Sequence, residues 1–247
     1  MRRTAIDALR GVAICLMVVY HFCFDLRYFR VIAANFEGDP FWLGFRGLIV
    51  TSFLTLVGIS LVLADRAGSQ PADRAGSQFA NRASAQPAHF WKRIGLIAAC
   101  ALAVSVGSYL MFPRSFIYFG ILHCIAVTSI FAQPLLRRPR VALALGIAVI
   151  LAGLFVHFPV FDTRELSWIG FMTHKPRTED YAPLAPWAGV VFIGITIGDA
   201  LWRSNFRALR AFTRTPAWLQ WLGRHSLAVY MVHQPLLIGA LSVVLRR

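Results

Sequence analysis

Seven long apolar runs, separated by short basic clusters, constrain this chain more than any other feature. They cover approximately residues 11–26, 47–64, 94–112, 116–136, 141–158, 186–202 and 226–245. Most approach the roughly 20 residues that cross a hydrocarbon core of about 30 Å at 1.5 Å per helical residue. Lipid offers backbone groups no partner, so a spanning segment satisfies its own hydrogen bonds as a helix or joins a closed barrel. A barrel needs alternating segments of about ten residues, and none is present. The expectation is an all-α, polytopic integral membrane helix bundle with about seven transmembrane helices. It is read as a single domain over residues 1–247.

A net charge of +14 raises nucleic acid as a partner, which would require a basic patch on a soluble surface. The composition argues otherwise, with 57% of residues hydrophobic and only 15% charged. The Lys and Arg residues fall between the apolar runs, which is how a membrane protein sets its orientation. With the N-terminus inside, sixteen of the 25 basic residues lie on the inner side. Arg246 and Arg247 on the outer side are the one dissent. Nucleic acid is therefore excluded, a lipid bilayer is implied, and the N-terminus is expected in the cytoplasm. Arg2 and Arg3 ahead of an apolar run resemble a signal peptide. No small-residue cleavage site follows, since Tyr20, His21, Phe22 and Asp25 end that run, so it is read as a retained first helix.

Three further segments stand out. An eight-residue repeat at 64–71, 72–79 and 80–87 is too polar and small to bury a core, and reads as a flexible cytoplasmic loop over 64–87. Thr215, Pro216 and Gly223 are spaced as N-cap, first helical residue and helix stop of a two-turn helix. Its Trp218 and Trp221 suit a membrane interface. The outer loop 159–183 is acidic and rich in turn formers, and is equally a lid, an acceptor site or a solvated loop. Cys15, Cys23, Cys100 and Cys124 have no spacing suited to disulfides or zinc, and no metal is expected.

Ionisable groups inside spans are costly and point to function. His21, His123 and His233 each lie in an apolar run, at similar estimated depths, and are read as one candidate site. On the first helix, Asp7, Arg10, Ile14, Met17, His21 and Asp25 share an arc of about 80° at 100° per residue. Asp25 lies one turn beyond His21, where a carboxylate would orient the imidazole and raise its basicity for general-base work. The competing reading of each histidine is a hydrogen bond within a packed bundle. Arg10 and Arg46 are either interface anchors or guanidinium groups for phosphate or carboxylate. No Gly-rich phosphate loop or nucleophile elbow is present.

The sequence blocks Ile6–Gly11 with Met17–Phe22, Phe119–Ala126, Asp180–Trp187, and Leu222–Tyr230 with His233, Gln234 and Pro235 resemble the heparan-α-glucosaminide N-acetyltransferase-like membrane family. The spacing of Arg10 and His21 is similar to the wider transmembrane acyltransferase superfamily. The resemblance implies acetyl transfer across a membrane, with acetyl-CoA supplied from the cytoplasm and the acceptor on the outer side. It implies that His21 is the catalytic histidine, and His123 and Asp180 fall in matching motifs. Joined to the helical spacing above, the expected catalytic set is His21 as base, Asp25 orienting it and His123 assisting. Arg10, Arg46, Asp180, Tyr181, Trp187, His233 and Gln234 are the expected substrate- or CoA-binding residues. The chain is shorter than the family's animal members, so a bacterial cell-envelope glycan or small-molecule acceptor is expected, in a bacterial inner membrane. The oligomeric state is left open, homo-oligomers included. The other classes considered are a histidine-lined transporter or channel and a non-catalytic membrane assembly protein.

Overall fold

The computed structural model describes residues 2–68, 80–178 and 180–245. Helices make up the fold, with no strand among the described residues. Five are long and apolar enough to cross a membrane: Thr4–Tyr28, Pro40–Ala67, Ala88–Met111, Leu184–Arg203 and Ser226–Val244. Two shorter apolar helices, Ile121–Leu135 and Pro139–Phe155, account for the other two runs. The protein is an integral membrane protein of polytopic all-α fold. Its residues cluster into two compact units, Met1–Leu56 with Ser204–Arg247, and Val57–Arg203.

The first unit holds α1 (Arg2–Tyr28), the leading part of α2 (Pro40–Gly68), α8 (Ala217–Arg224) and α9 (Ser226–Val244). Helix α1 packs against α8 and α9. In lipid, helix association gains little from apolar burial, because the solvent is as apolar as the side chains, and close backbone approach matters instead. Glycines supply that approach here. A Cβ on Gly11 of α1 would overlap the carbonyl oxygen of Leu219, and one on Gly223 of α8 would overlap that of Asp7. A second contribution is an aromatic cluster around Tyr20 and Phe36, where the Phe36 and Trp42 rings stack with centroids 4.1 Å apart.

The two-turn helix read from Thr215 to Gly223 is present but shifted. It runs Ala217–Arg224, with Pro216 at the N-cap position. Gly223 is inside the helix rather than beyond its end, because its lack of a side chain serves the contact with α1. Thr215 donates its hydroxyl to the Phe212 carbonyl instead of capping α8. Trp218 and Trp221 remain exposed.

The second unit holds the remainder of α2, then α3 (Ala80–Met111), α4 (Ile121–Ala132), α5 (Pro139–Phe155), the single-turn α6 (Arg164–Ser167) and α7 (Leu184–Arg203). Helices α5 and α7 cross through a glycine pair, each Cβ position facing the other residue's carbonyl: Gly146 against Gly189 and the reverse. Gly58 of α2 likewise meets the Val191 carbonyl of α7. The fourth run begins later than expected. Residues 116–120 are an irregular segment held by Ser105 and Ser108 of α3, whose hydroxyls bind the Ile117 carbonyl at 2.6 Å and its amide at 3.0 Å. The flanks of the octapeptide repeat are helical, Ala64–Gly68 in α2 and Ala80–Pro87 in α3. Residues 69–79, and the flexible loop assigned to them, lie outside the described residues.

Candidate functional site

In the first unit, α1 presents His21 and Asp25 toward α9, which presents His233 and Gln234. The His21 and His233 rings meet edge to face, with centroids 4.8 Å apart. Nδ1 of His21 lies 2.9 Å from the Met17 carbonyl, and Nδ1 of His233 lies 2.7 Å from the Tyr230 carbonyl. A carbonyl oxygen only accepts, so both rings carry their proton on Nδ1 and leave Nε2 as the basic nitrogen. The Met17 carbonyl, one turn before His21, thus takes the orienting role that the sequence suggested for Asp25. The Asp25 carboxyl instead receives the Gln234 amide at 2.6 Å. Asp25 is 2% exposed, and its Oδ2 and the Gln234 Oε1 are buried without hydrogen-bond partners.

Near the start of α1, Asp7 lies between two arginines. Arg10 approaches it at 3.5 Å, one turn on, and Arg224 of α8 at 3.8 Å. Arg46 is half-buried in α2.

His123 belongs to the second unit and is built into a different set of contacts. Its Nδ1 accepts the Gly120 amide at 3.2 Å, closing the first turn of α4. That places the ring proton on Nε2, which points to Ser105 Oγ at 3.3 Å. The Ser105 hydroxyl passes its own hydrogen to the Ile117 carbonyl. Both ring nitrogens are therefore used by the local fold, and the tautomer is the opposite of that in His21. Asp180 sits at the same helix start, with Oδ2 accepting the Ile121 amide at 3.3 Å, where a carboxylate complements the positive helix end.

The loop over 159–183 is packed in part rather than merely solvated. Tyr181 donates its hydroxyl to the Ser167 carbonyl at 2.5 Å, and the Tyr118 and Ser167 hydroxyls lie 2.6 Å apart. Burial raises the Tyr181 phenol above its ordinary value, so it stays a donor. The Arg164 guanidinium lies over the Phe116 ring at 4.9 Å. Asp162 binds the Thr173 and His174 amides at 2.7 and 3.2 Å, and the Thr173 hydroxyl as well. The Thr173 hydroxyl bond leads in holding this carboxyl below its ordinary range. Trp187 is half-buried in the first turn of α7.

Sequence reasoning missed Asp199. It lies in the α7 run, 3% exposed, and binds Arg66 and Arg203, each at 2.7 Å. These three residues and Trp202 line a cleft of about 460 Å³. The available signal was an acidic residue inside an apolar run with Arg203 four positions on, an ion-pair spacing on a helix. Among the described residues, no group of three His, Cys, Asp or Glu side chains is placed to hold a metal ion.

Fold and site together define a polytopic membrane protein that carries paired histidines among its helices. The model of the family described as heparan-alpha-glucosaminide N-acetyltransferase, catalytic, matches residues 2–235. The chain belongs to this family, and acetyltransferase-like activity within a membrane follows from that membership. No characterised protein and no solved structure gives a match.

Proposed function

We propose that this protein moves an acetyl group from cytoplasmic acetyl-CoA to an amine or hydroxyl of a glycan or small acceptor on the outer side of a bacterial inner membrane, with its N-terminus in the cytoplasm. The observation that carries the reading is the tautomer of His21. Its Nδ1–H is tied to the Met17 carbonyl, so Nε2 is the nitrogen left to accept a proton. As the acceptor attacks the thioester carbonyl, Nε2 takes its N–H or O–H proton and a C–N or C–O bond forms. The C–S bond then breaks, and the protonated His21 returns the proton to the departing thiolate. His233 in ring contact supports the imidazolium. Arg10 and Arg46 supply planar guanidinium groups for the donor's phosphates. Asp180, Tyr181 and Trp187 serve substrate binding. His123 acts through the fold, since both its nitrogens are engaged there.

Purified protein in proteoliposomes, given labelled acetyl-CoA and amino-sugar acceptors, should transfer the label or hydrolyse the donor, and His21→Ala should abolish this. Full activity in His21→Ala would refute the assignment of the base. A pH-dependent flux without acetyl transfer would favour a transporter.

A further inference from the structure

We infer that Asp25 is a neutral carboxylic acid at neutral pH, its Oδ2–H donating to Gln234 Oε1, so that the two residues clasp α1 to α9 by two hydrogen bonds. Asp25 is 2% exposed, and Oδ1 receives the Gln234 amide at 2.6 Å. Oδ2 of Asp25 and Oε1 of Gln234 are both buried and both lack a partner.

An ionised carboxylate and an amide oxygen are each acceptors only, so neither can satisfy the other. Buried polar groups are seldom left unpaired, and a buried charge without a counter-charge is more costly still. Asp25 makes no ion pair among the described residues. Arg27 lies over the Phe36 ring. Arg10 and Arg224 are engaged with Asp7, about 27 Å further down α1 at 1.5 Å per residue. The titratable neighbours are His21 on the same helix and His233 on α9, and both keep their Nδ1 proton on backbone carbonyls. One proton on Oδ2 resolves both unpaired oxygens at once. A carboxylic acid and a primary amide are matched planar partners, each offering one donor and one acceptor.

This inference concerns protonation and stands whether or not the chain transfers acetyl groups. Under the acetyl-transfer reading, Asp25 and Gln234 become positioning residues. They hold His233 against His21 through the helices, and Asp25 is not a negative partner of the base.

Infrared difference spectroscopy of the purified protein at neutral pH tests it. Wild type minus Asp25→Asn should contain the carbonyl stretch of a protonated carboxyl. Gln234→Leu should move that band to higher frequency, because the acid loses its acceptor. Asp25→Asn should also keep the wild-type melting temperature, since its amide makes the same two bonds. A difference spectrum showing only a carboxylate stretch would overturn the proposal. If Asp25→Asn does not fold, Gln234→Leu decides alone: an acid band that shifts supports the clasp, and no shift refutes it. Absent acetyl transfer with the acid band present would overturn the enzymatic reading and leave the clasp standing.

Discussion

The imidazoles of His21 on α1 and His233 on α9 meet with their planes at 67° and their centroids 4.8 Å apart, while each donates its Nδ1 proton back into its own helix. The two rings are thereby fixed from opposite sides, and neither depends on a solvent-exposed residue for its orientation. His21→Ala is expected to lower the acetyl-transfer rate by about 10²–10⁴, the range of one general base. His233→Ala should give a smaller loss. Initial rates with labelled acetyl-CoA check both, with melting temperature as the control for folding.

His123→Ala should behave differently. Its ring bonds Gly120 and Ser105, so its removal leaves buried groups unpaired at the start of α4. The expected effect is a stability loss of about 1–3 kcal/mol with most of kcat retained. A loss of kcat on the scale of His21→Ala, in a variant of wild-type stability, would contradict this assignment.

Glycine 223 tests the packing of α1 on α8. A methyl group there meets the Asp7 carbonyl oxygen, and backbone cannot step aside as a side chain can. Gly223→Ala should destabilise the protein by about 1–3 kcal/mol, as overpacking does. Gly95→Ala is the control, since nothing lies within 4 Å of its Cβ position. Thermal unfolding in detergent separates the two.

Asp199 is the hub of an ion-pair pair, nearly buried between Arg66 and Arg203. Asp199→Ala strands the Arg66 guanidinium, which is about two-thirds buried, and should cost roughly 2–3 kcal/mol. Arg203→Ala removes a partner that is 70% exposed, and should cost under about 1 kcal/mol. Equal losses in the two variants would argue against this ranking.

The loop over 159–183 should loosen in acid. Hydrogen bonding by Thr173 depresses the folded-state pKa of Asp162, so its contribution is present above the ordinary carboxylate range, near pH 4. That contribution is lost as pH falls through the depressed folded value. Limited proteolysis of residues 159–183 should therefore accelerate below about pH 4 in the wild type. Asp162→Asn should be cut faster at neutral pH and show less pH dependence.

Much of the fold was legible in the apolar runs, each of which is a helix, because lipid leaves the backbone no other way to satisfy its polar groups. Local chemistry misled at two points. The Thr215–Pro216 and Gly223 signals marked a real helix, but Gly223 answers to the Asp7 backbone of a distant segment. The fourth run began at Phe116 by hydropathy, whereas the serines of α3 capture the Ile117 backbone and delay α4 to Ile121.

In the candidate site, the motif pointed to His21, and helical spacing placed Asp25 on the same face. Spacing along one helix could not show that Asp25 turns to Gln234, 209 residues away, or that a backbone carbonyl holds His21. It also passed over Asp199, whose partner Arg66 lies 133 residues earlier. Helix formation in a membrane depends on bonds within a few residues, so a linear pattern states it. Which buried polar groups meet depends on how separate helices dock through their glycines, and only the assembled structure decides that.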